Sequence, residues 1–453
     1  MKKVRRIIGN SSLFRNTLKM SSTNVLMYFV PVIVTPILSR LYTKEAFGEW
    51  GVFSSVILIV DVILFWGYEN AIVKTENAND ARHVGVICLI TSFITIVLTF
   101  IVFSIGNAVR IPFFRTFPQQ WLLYLYLFFH VFYMILYNLC NRQEKYNGLA
   151  ISHIVRGGSQ ALLRITFGLV VLSAVNGLIF GTTLAQGLTA IFLFFCLREF
   201  LKDSRGTSIS TKRIKELFVI NRRFPLFDAP ATMLSVAAFQ SPIIILSQYF
   251  SKAEIGCFSI VIQLLLMPVS LIGSAMGRVY YQQLCQVQGD AVAIRDISKK
   301  VVDTVCIMAI IPLLFLAVGG DKLLVIFLGK QWGTANSVAL CLALWSFPTI
   351  LTQPMIPLYR TLDRQKKLLV FNAIYFIGGI GAVLYGCLTG KSLYVILLIY
   401  SIVTATCISC MFVNLLKLCG LRLRHLNKYI IIVWCISIII LVFRLKGILL
   451  LNC

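Results

Sequence analysis

Residues 37–50 read ILSRLYTKEAFGEW, and residues 245–258 read ILSQYFSKAEIGCF. The two stretches align without a gap at an offset of 208, and five positions are identical: Ile37/Ile245, Leu38/Leu246, Ser39/Ser247, Lys44/Lys252 and Gly48/Gly256. A second match follows in the same order, residues 141–145 (NRQEK) with 363–367 (DRQKK), at an offset of 222. Two ordered matches predict a duplicated half. In a membrane protein, duplicated halves are typical of transporters that rock about a central site.

The composition is that of a membrane protein. The hydrophobic fraction is 58%, the charged fraction is 13% and the mean hydropathy is +0.86. Residues 86–105 and 392–413 carry no charge. Because hydrocarbon cannot hydrogen-bond a bare backbone, such runs must be helical. The sequence therefore predicts an all-α polytopic membrane protein.

Twelve spans are predicted, six in each half, and the apolar stretch 429–443 forms either a thirteenth span or an interfacial helix. The predicted spans are 20–38, 52–73, 84–105, 120–139, 152–173, 177–197, 225–249, 257–281, 301–319, 335–356, 368–388 and 393–415. The predicted domains are a six-helix bundle (1–197), a cytoplasmic linker (198–224), a second six-helix bundle (225–416) and a basic segment with a short hydrophobic helix (417–453). Within the linker, 211–223 is expected to form a basic surface helix.

The positive charges orient these spans. Of the 42 Lys and Arg residues, 30 lie in segments on one predicted side and 8 in the opposite loops. The positive-inside rule therefore predicts a cytoplasmic N-terminus. The net charge of +25 is explained by this topology and by attraction to anionic lipid headgroups. Nucleic acid is not an expected partner, because the loops are short and lack aromatic residues among the basic ones.

The loops argue against an enzyme. There is no glycine-rich phosphate loop of the GxxxxGK[ST] type, so ATP is not expected to drive the protein directly. The acidic residues of the outer loops form no convincing acid–base pair. The four histidines are not spaced as metal ligands, and the cysteines imply no disulfide. No metal or cofactor is therefore expected.

Several segments resemble a known family. LSRLYTKEAFGEWGVFSSVI (38–57), YENAIVKTENANDA (68–81), NRQEKYNGLAISHIVRGGSQALLRITFG (141–168) and the block FPLFDAP…RVYYQQL (224–284) are similar to the polysaccharide transport family, the Wzx-type flippases for O-antigen and capsule repeat units. The resemblance extends in order over about residues 20–415. Its motifs encode helix packing and loop geometry and do not identify a sugar.

The resemblance implies two parallel six-helix bundles around a central cavity, as in the multidrug/oligosaccharidyl-lipid/polysaccharide (MOP) superfamily. It further implies a flippase that moves undecaprenyl-diphosphate-linked oligosaccharides across the bacterial cytoplasmic (inner) membrane by alternating access. The implied partners are this lipid-linked glycan, membrane lipids, a coupling ion (a proton or sodium) and polymerase or ligase components of the same pathway.

Charges inside predicted spans are candidate site residues, because buried cations cost roughly 2.5–3.5 kcal/mol each on insertion scales. Arg164 lies inside span five and is the first candidate for binding phosphate or sugar, with a structural ion pair or snorkelling as the alternative. Arg278 lies late in span eight and either faces the cavity or snorkels to the cytoplasmic edge. Arg40 ends span one, and a role in locking the loop competes with substrate binding there.

Asp61 is the acid deepest in span two. It is predicted either to couple transport to an ion by changing its protonation or to form a structural pair with Arg164. The diphosphate of a lipid-linked glycan needs cations along a wet path, which matches the buried arginines.

Three other functions compete. A drug or organic-cation antiporter of the same superfamily would favour a cavity with net negative charge, unlike the two buried arginines and one aspartate here. A polytopic polymerase or glycosyltransferase would display catalytic residues on a long outer loop, which this chain lacks. A lipid II flippase usually has two additional C-terminal helices, and residues 429–453 supply at most one and a fragment.

Overall fold

The structure is a computed structural model that describes residues 30–31, 33–75, 77–170, 175–203, 210–287, 289–421, 434, 436–437, 439–440 and 443–444. The regular elements in these residues are all helical. The α-helices are α1 (33–41), α2 (Lys44–Leu64), α3 (Glu69–Lys74), α4 (Ala78–Ala108), α5 (Pro112–Thr116), α6 (Gln120–Arg142), α7 (Tyr146–Val170), α8 (Gly177–Asp203), α9 (Thr211–Ile220), α10 (Ala229–Leu246), α11 (Lys252–Gln286), α12 (Ala291–Val318), α13 (Gly320–Leu328), α14 (Ala335–Thr352), α15 (Pro357–Thr361), α16 (Gln365–Leu388) and α17 (Leu393–Leu418).

The chain folds into two compact units. The first comprises Met1–Tyr42 and Val52–Val236, and the second comprises Thr43–Gly51 and Ala237–Cys453. In the first unit, α8 packs along both α6 and α7. In the second, α17 packs against α14 and α16, and α14 is buried along almost its whole length.

Eight helices among the described residues are long and apolar enough to span a membrane. They are Lys44–Leu64, Asn79–Ala108, Gln120–Arg142, Gly177–Arg198, Lys252–Gln286, Ala335–Thr361, Gln365–Leu388 and Leu393–Leu418. The predicted helical membrane class is confirmed. The number of spans stays a prediction, because most of 20–38 and 429–443 lies outside the described residues.

The predicted second span, 52–73, is wrong at both ends. Its helix, α2, begins at Lys44 and ends at Leu64, and the short helix α3 follows a turn. The break falls where Trp66 and Gly67 both have positive φ angles (55° and 81°). A tryptophan is strained in this region, and the hydrogen bond from its Nε1 to Thr95 Oγ1 (3.1 Å) helps to hold it there.

The repeated motif has the same local structure in both copies, in the register that the sequence match predicts. The helices α2 and α11 begin at Lys44 and Lys252, the paired lysines. The preceding hydroxyl caps each helix: Thr43 Oγ1 accepts from the backbone N–H of Ala46, and Ser251 Oγ accepts from that of Glu254, both at 3.3 Å. Such caps satisfy donors that the first helical turn leaves unpaired.

The paired glycines Gly48 and Gly256 are explained by a close helix crossing within the second unit. A Cβ atom on Gly48 would overlap the carbonyl oxygen of Lys252, and a Cβ on Gly256 would overlap that of Lys44. The contact is therefore reciprocal between the two copies of the motif. Only glycine allows two helix backbones to approach this closely.

The second sequence match, NRQEK with DRQKK, is three residues out of register with the backbone. Both segments lie at helix ends closed by a residue with positive φ, Glu144 (53°) and Asp363 (52°). In each turn, the backbone N–H of the next residue donates to a carbonyl five residues earlier in the chain. Lys145 donates to Cys140, and Arg364 donates to Tyr359. The equivalent residues are thus 219 apart rather than 222.

The predicted basic surface helix in the linker is observed as α9, most of which is exposed. It is held to the first unit by Arg213, whose Nε and Nη2 donate to the two carboxylate oxygens of Asp80 at 2.9 and 2.7 Å. The N–H of Ser210 donates to His83 Nε2 (3.1 Å), and the Tyr68 hydroxyl donates to the Phe218 carbonyl (3.1 Å).

Candidate functional site

Polar and ionisable side chains of the first unit gather on α2, α6, α7 and α8. On α7 they recur at the spacing of one helix face: His153, Arg156, Gln160 and Arg164. This face gives α7 a more polar character than its neighbours. Two clusters form along it, one around Arg164 and one around Asp61.

Arg164 is 9% exposed and is held between α7 and α8. Its Nε and Nη2 donate to Thr182 Oγ1 at 3.0 and 2.6 Å, and that hydroxyl donates to the Leu178 carbonyl at 2.7 Å. Gly181 makes room for this arrangement, since a Cβ there would lie 3.0 Å from the Arg164 backbone nitrogen. The Thr182 hydroxyl thus helps to orient the guanidinium.

Two further side chains complete the Arg164 cluster. Gln160 donates from Nε2 to Thr182 Oγ1 at 3.3 Å, and the Tyr42 hydroxyl donates to the backbone carbonyl of Arg164 at 2.6 Å. Tyr42 follows directly after α1, so the first repeated motif is tied to the cationic residue on α7. A guanidinium fixed in this way suits an anionic oxygen ligand.

The second cluster is built on Asp61 and His130. His130 is 4% exposed, and its Nε2 lies 2.5 Å from Asp61 Oδ1. Its other nitrogen, Nδ1, lies 3.0 Å from Gln186 Nε2. Because an amide nitrogen can only donate, Nδ1 is the acceptor and the ring proton of a neutral His130 is on Nε2, facing Asp61. Tyr126 stacks on the imidazole, with ring centroids 5.5 Å apart.

Two more charged residues face Asp61 in this cluster. Arg156, on α7, interacts electrostatically with Asp61 and places its guanidinium carbon 5.1 Å from the Tyr133 ring centre. Glu69, at the start of α3, also feels the charge of Asp61. One aspartate, one glutamate, one histidine and one arginine therefore share a single electrostatic neighbourhood.

The predicted site residues are only partly brought together. Asp61 contacts His130 and not Arg164, so the expected structural pair of Asp61 with Arg164 is wrong. Arg40 is exposed, and its Nη1 donates to the Pro36 carbonyl of its own helix at 2.7 Å. Arg278 is exposed on α11, in the second unit.

His130 and Arg156 were not predicted as site residues. No second histidine stands at a metal-ligand spacing from His130, and Arg156 lies near the start of the predicted span 152–173. A signal was present nonetheless: the ring side chains Tyr126, His130, Tyr133 and Tyr137 follow one another at helical spacing on α6. The described residues contain no group of three His, Cys, Asp or Glu side chains suited to a metal ion.

Comparison with known proteins agrees with this membrane architecture. A family model described as "Polysaccharide biosynthesis protein" matches residues 37–337, more than half of the chain. No curated protein is significantly similar in sequence.

Solved structures with a similar fold are all distant in sequence. An inward-facing multidrug resistance MATE family transporter of the MOP superfamily has a TM-score of 0.65 at 14% identity, covering 87% of this chain and 94% of that one. The lipid II flippase MurJ, in an inward closed conformation, has a TM-score of 0.67 at 11% identity, covering 96% and 99%. The MATE multidrug transporter DinF-BH has 0.59 at 18%, covering 90% and 95%.

Proposed function

Because the chain belongs to the polysaccharide biosynthesis protein family and has the fold of MOP-superfamily transporters, we propose that it is a flippase for lipid-linked oligosaccharides. The substrate is an undecaprenyl-diphosphate-linked repeat unit, moved from the cytoplasmic to the periplasmic leaflet of a bacterial inner membrane by alternating access. The chain is a multi-pass protein with its N-terminus in the cytoplasm.

The observation that carries the proposal is Arg164. A buried guanidinium in an apolar bundle is costly, and it is kept in a fixed orientation by Thr182. A diphosphate cannot cross hydrocarbon without such a cation, whereas the prenyl tail can remain in the lipid. Arg278 and Arg40, both exposed, are the second and third candidates for substrate contact.

The cluster of Asp61 and His130 is proposed to bind the coupling ion. His130 Nε2 lies 2.5 Å from the Asp61 carboxylate, and Arg156 adds positive charge beside it. A sodium ion needs several oxygen ligands and is repelled by the Arg156 guanidinium, whereas a proton needs only a base. The geometry therefore favours a proton over sodium.

A drug or organic-cation antiporter is the second candidate, supported by the fold shared with two multidrug transporters. The two functions are separated by deleting the gene and following lipid-linked glycan. For a flippase, undecaprenyl-linked repeat units accumulate in the cytoplasmic leaflet and surface polymer is lost, while ethidium efflux is unchanged. Normal polymer with reduced efflux would establish the antiporter.

The same experiment tests the polymerase alternative. Without a polymerase, single repeat units still reach the periplasm and appear on the surface. Without a flippase, they stay accessible only to reagents in the cytoplasm. Restoration of polymer by the intact gene is the control.

A further inference from the structure

The second unit contains a cavity of about 560 Å³ on one face of α17, closed on one side by Phe371 of α16. Its α17 wall includes Thr406, Ser409, Asn414 and Lys417. The volume is in the usual range for a small-molecule site. None of these residues belongs to the clusters of the first unit.

Several polar or ionisable side chains of α17 border this open cavity, although most of its lining is apolar and α17 is one of the most apolar helices of the chain. Thr406, Ser409, Cys410 and Lys417 are all exposed to the cavity side of the helix. An ammonium group is costly against acyl chains, whereas the Thr406 hydroxyl donates to the Ile402 carbonyl of its own helix at 2.8 Å. The polar groups extend over about 16 Å of helix at ~1.5 Å per residue.

Two hydrogen-bond donors at one end of the cavity are available to a ligand. The Asn414 amide oxygen accepts from the Tyr359 hydroxyl at 3.0 Å, which orients the amide. Within the described part of the chain, neither the Asn414 NH₂ group nor Lys417 Nζ has an acceptor. Lys417 also lies in the last turn of α17, where a cation is favourable. Together the two groups suit an anionic oxygen.

We propose that this cavity binds the diphosphate and first sugar of a prenyl-diphosphate-linked glycan, with Lys417 and Asn414 on the diphosphate and Thr406, Ser409 and Phe371 against the sugar. The proposal rests on the flippase function. The exposed Thr406 and Ser409 side chains beside these donors match a hydroxylated headgroup, and a resident phospholipid is the competing occupant that the test separates. By the predicted topology, Lys417 marks the cytoplasmic mouth of the cavity.

The chain carries its own reporter for a test. Cys410 lines the cavity and is exposed, and Cys285 on α11 is also exposed but lies outside the cavity. The full-length protein is reconstituted, and labelling at Cys410 and at Cys285 is quantified separately by mass spectrometry of the digested protein. The rate of labelling by a membrane-impermeant maleimide is measured in the presence of farnesyl diphosphate, farnesol or inorganic diphosphate.

We expect Cys410 to be labelled, and its labelling to be slowed several-fold by farnesyl diphosphate but not by farnesol, with Cys285 unaffected. Lys417→Ala should abolish the protection and Lys417→Arg should retain it. An unreactive Cys410, or protection that survives Lys417→Ala, would overturn the proposal. So would protection by phosphatidylglycerol in the vesicles without any by farnesyl diphosphate, which would assign the cavity to a phospholipid.

The two proposals fail in different ways. If farnesyl diphosphate does not protect Cys410 while gene deletion still traps repeat units in the cytoplasmic leaflet, the proposed ligand of the cavity is wrong and the flippase function is supported. If deletion leaves surface polymer intact, the proposed flippase function is wrong. Unchanged labelling of Cys285 in the Lys417 variants shows that the fold is preserved.

Discussion

Arg164 and Asp61 are both ionisable residues in the first unit, and the structure gives them different neighbours. Arg164 is oriented by the hydroxyl of Thr182, and Asp61 is paired with His130. A guanidinium donates readily to anionic oxygens, whereas a carboxylate beside an imidazole suits a proton site. We therefore propose that this unit keeps the substrate-binding residue apart from the coupling pair.

Replacing Arg164 should reduce transport, and the reduction should be larger when the positive charge is removed than when it is kept. Arg164→Ala removes the cation and should cut surface polymer most, while Arg164→Lys keeps the charge and should retain part of it. A charge-assisted hydrogen bond is worth about 1.5–3 kcal/mol, or roughly tenfold to a hundredfold in affinity. Polymer is measured at matched protein levels.

Thr182→Val is the matched variant for this prediction. It keeps the guanidinium but removes the hydroxyl that orients it, so its polymer level should fall between those of the wild type and Arg164→Ala. Wild-type polymer from Arg164→Ala would remove Arg164 from the site.

Substitutions of Asp61 and His130 should have non-additive effects on stability. Asp61→Asn or His130→Gln alone leaves a buried partner unsatisfied and should destabilise the protein by about 1–3 kcal/mol. The double variant should cost much less than the sum of the two, because neither charge is then left unpaired. Thermal unfolding in detergent measures the stability of the wild type, the two single variants and the double variant. Additive losses would show that the 2.5 Å contact carries no coupling.

At the scale of helices, the repeated motif determines how α2 and α11 begin and cross. Hydroxyl caps start both helices at equivalent residues, and the glycines at equivalent positions allow the backbones to touch. The match NRQEK/DRQKK behaves differently. The two turns have the same backbone structure, but the sequence match is three residues out of register with the structural match. A helix end needs only a residue that tolerates positive φ and not a particular sequence.

Adding a methyl group at the crossing should destabilise the protein. Gly48→Ala and Gly256→Ala should each cost about 1–3 kcal/mol, since the new Cβ meets backbone that cannot move aside. The costs should be similar, because the contact is reciprocal. Gly381→Ala is the control: its Cβ would meet nothing within 4 Å, so it should be neutral or stabilising. Equal melting temperatures for Gly48→Ala and Gly381→Ala would contradict the crossing.

At the scale of the whole molecule, the segment predicted to link the two halves contains α9, which belongs to the first unit. This helix is held to the first unit by Arg213, Ser210 and Tyr68. The carboxylates of Asp80 and Glu216 raise the pKa of Arg213, so its charge is permanent at physiological pH. The predicted linker (198–224) therefore contains a helix with defined attachments, within the stretch 211–223 expected to form a basic surface helix.

Breaking the Arg213–Asp80 contact should loosen the attachment of α9 to α4. In Arg213→Ala, trypsin should cleave faster at Lys212 and Lys215, because α9 detaches from α4 more often. Glu216→Gln is the control, since it removes the contact within α9 (3.0 Å) but keeps the one to Asp80. Equal cleavage rates for both variants would show that the tie to Asp80 does not hold the helix. High salt should speed cleavage of the wild type.

The sequence by itself determined the helical membrane class, because long uncharged apolar runs are local patterns. The repeated motif predicted a duplicated half, and the resemblance of several segments to known proteins indicated the family. The sequence also identified Arg164 and Asp61 as buried charges. Their partners were decided only by the tertiary structure: Thr182, His130 and Arg156 come from other helices, and sequence spacing does not show which faces meet. The reciprocal glycine contact and the cavity along α17 depend on helix packing for the same reason.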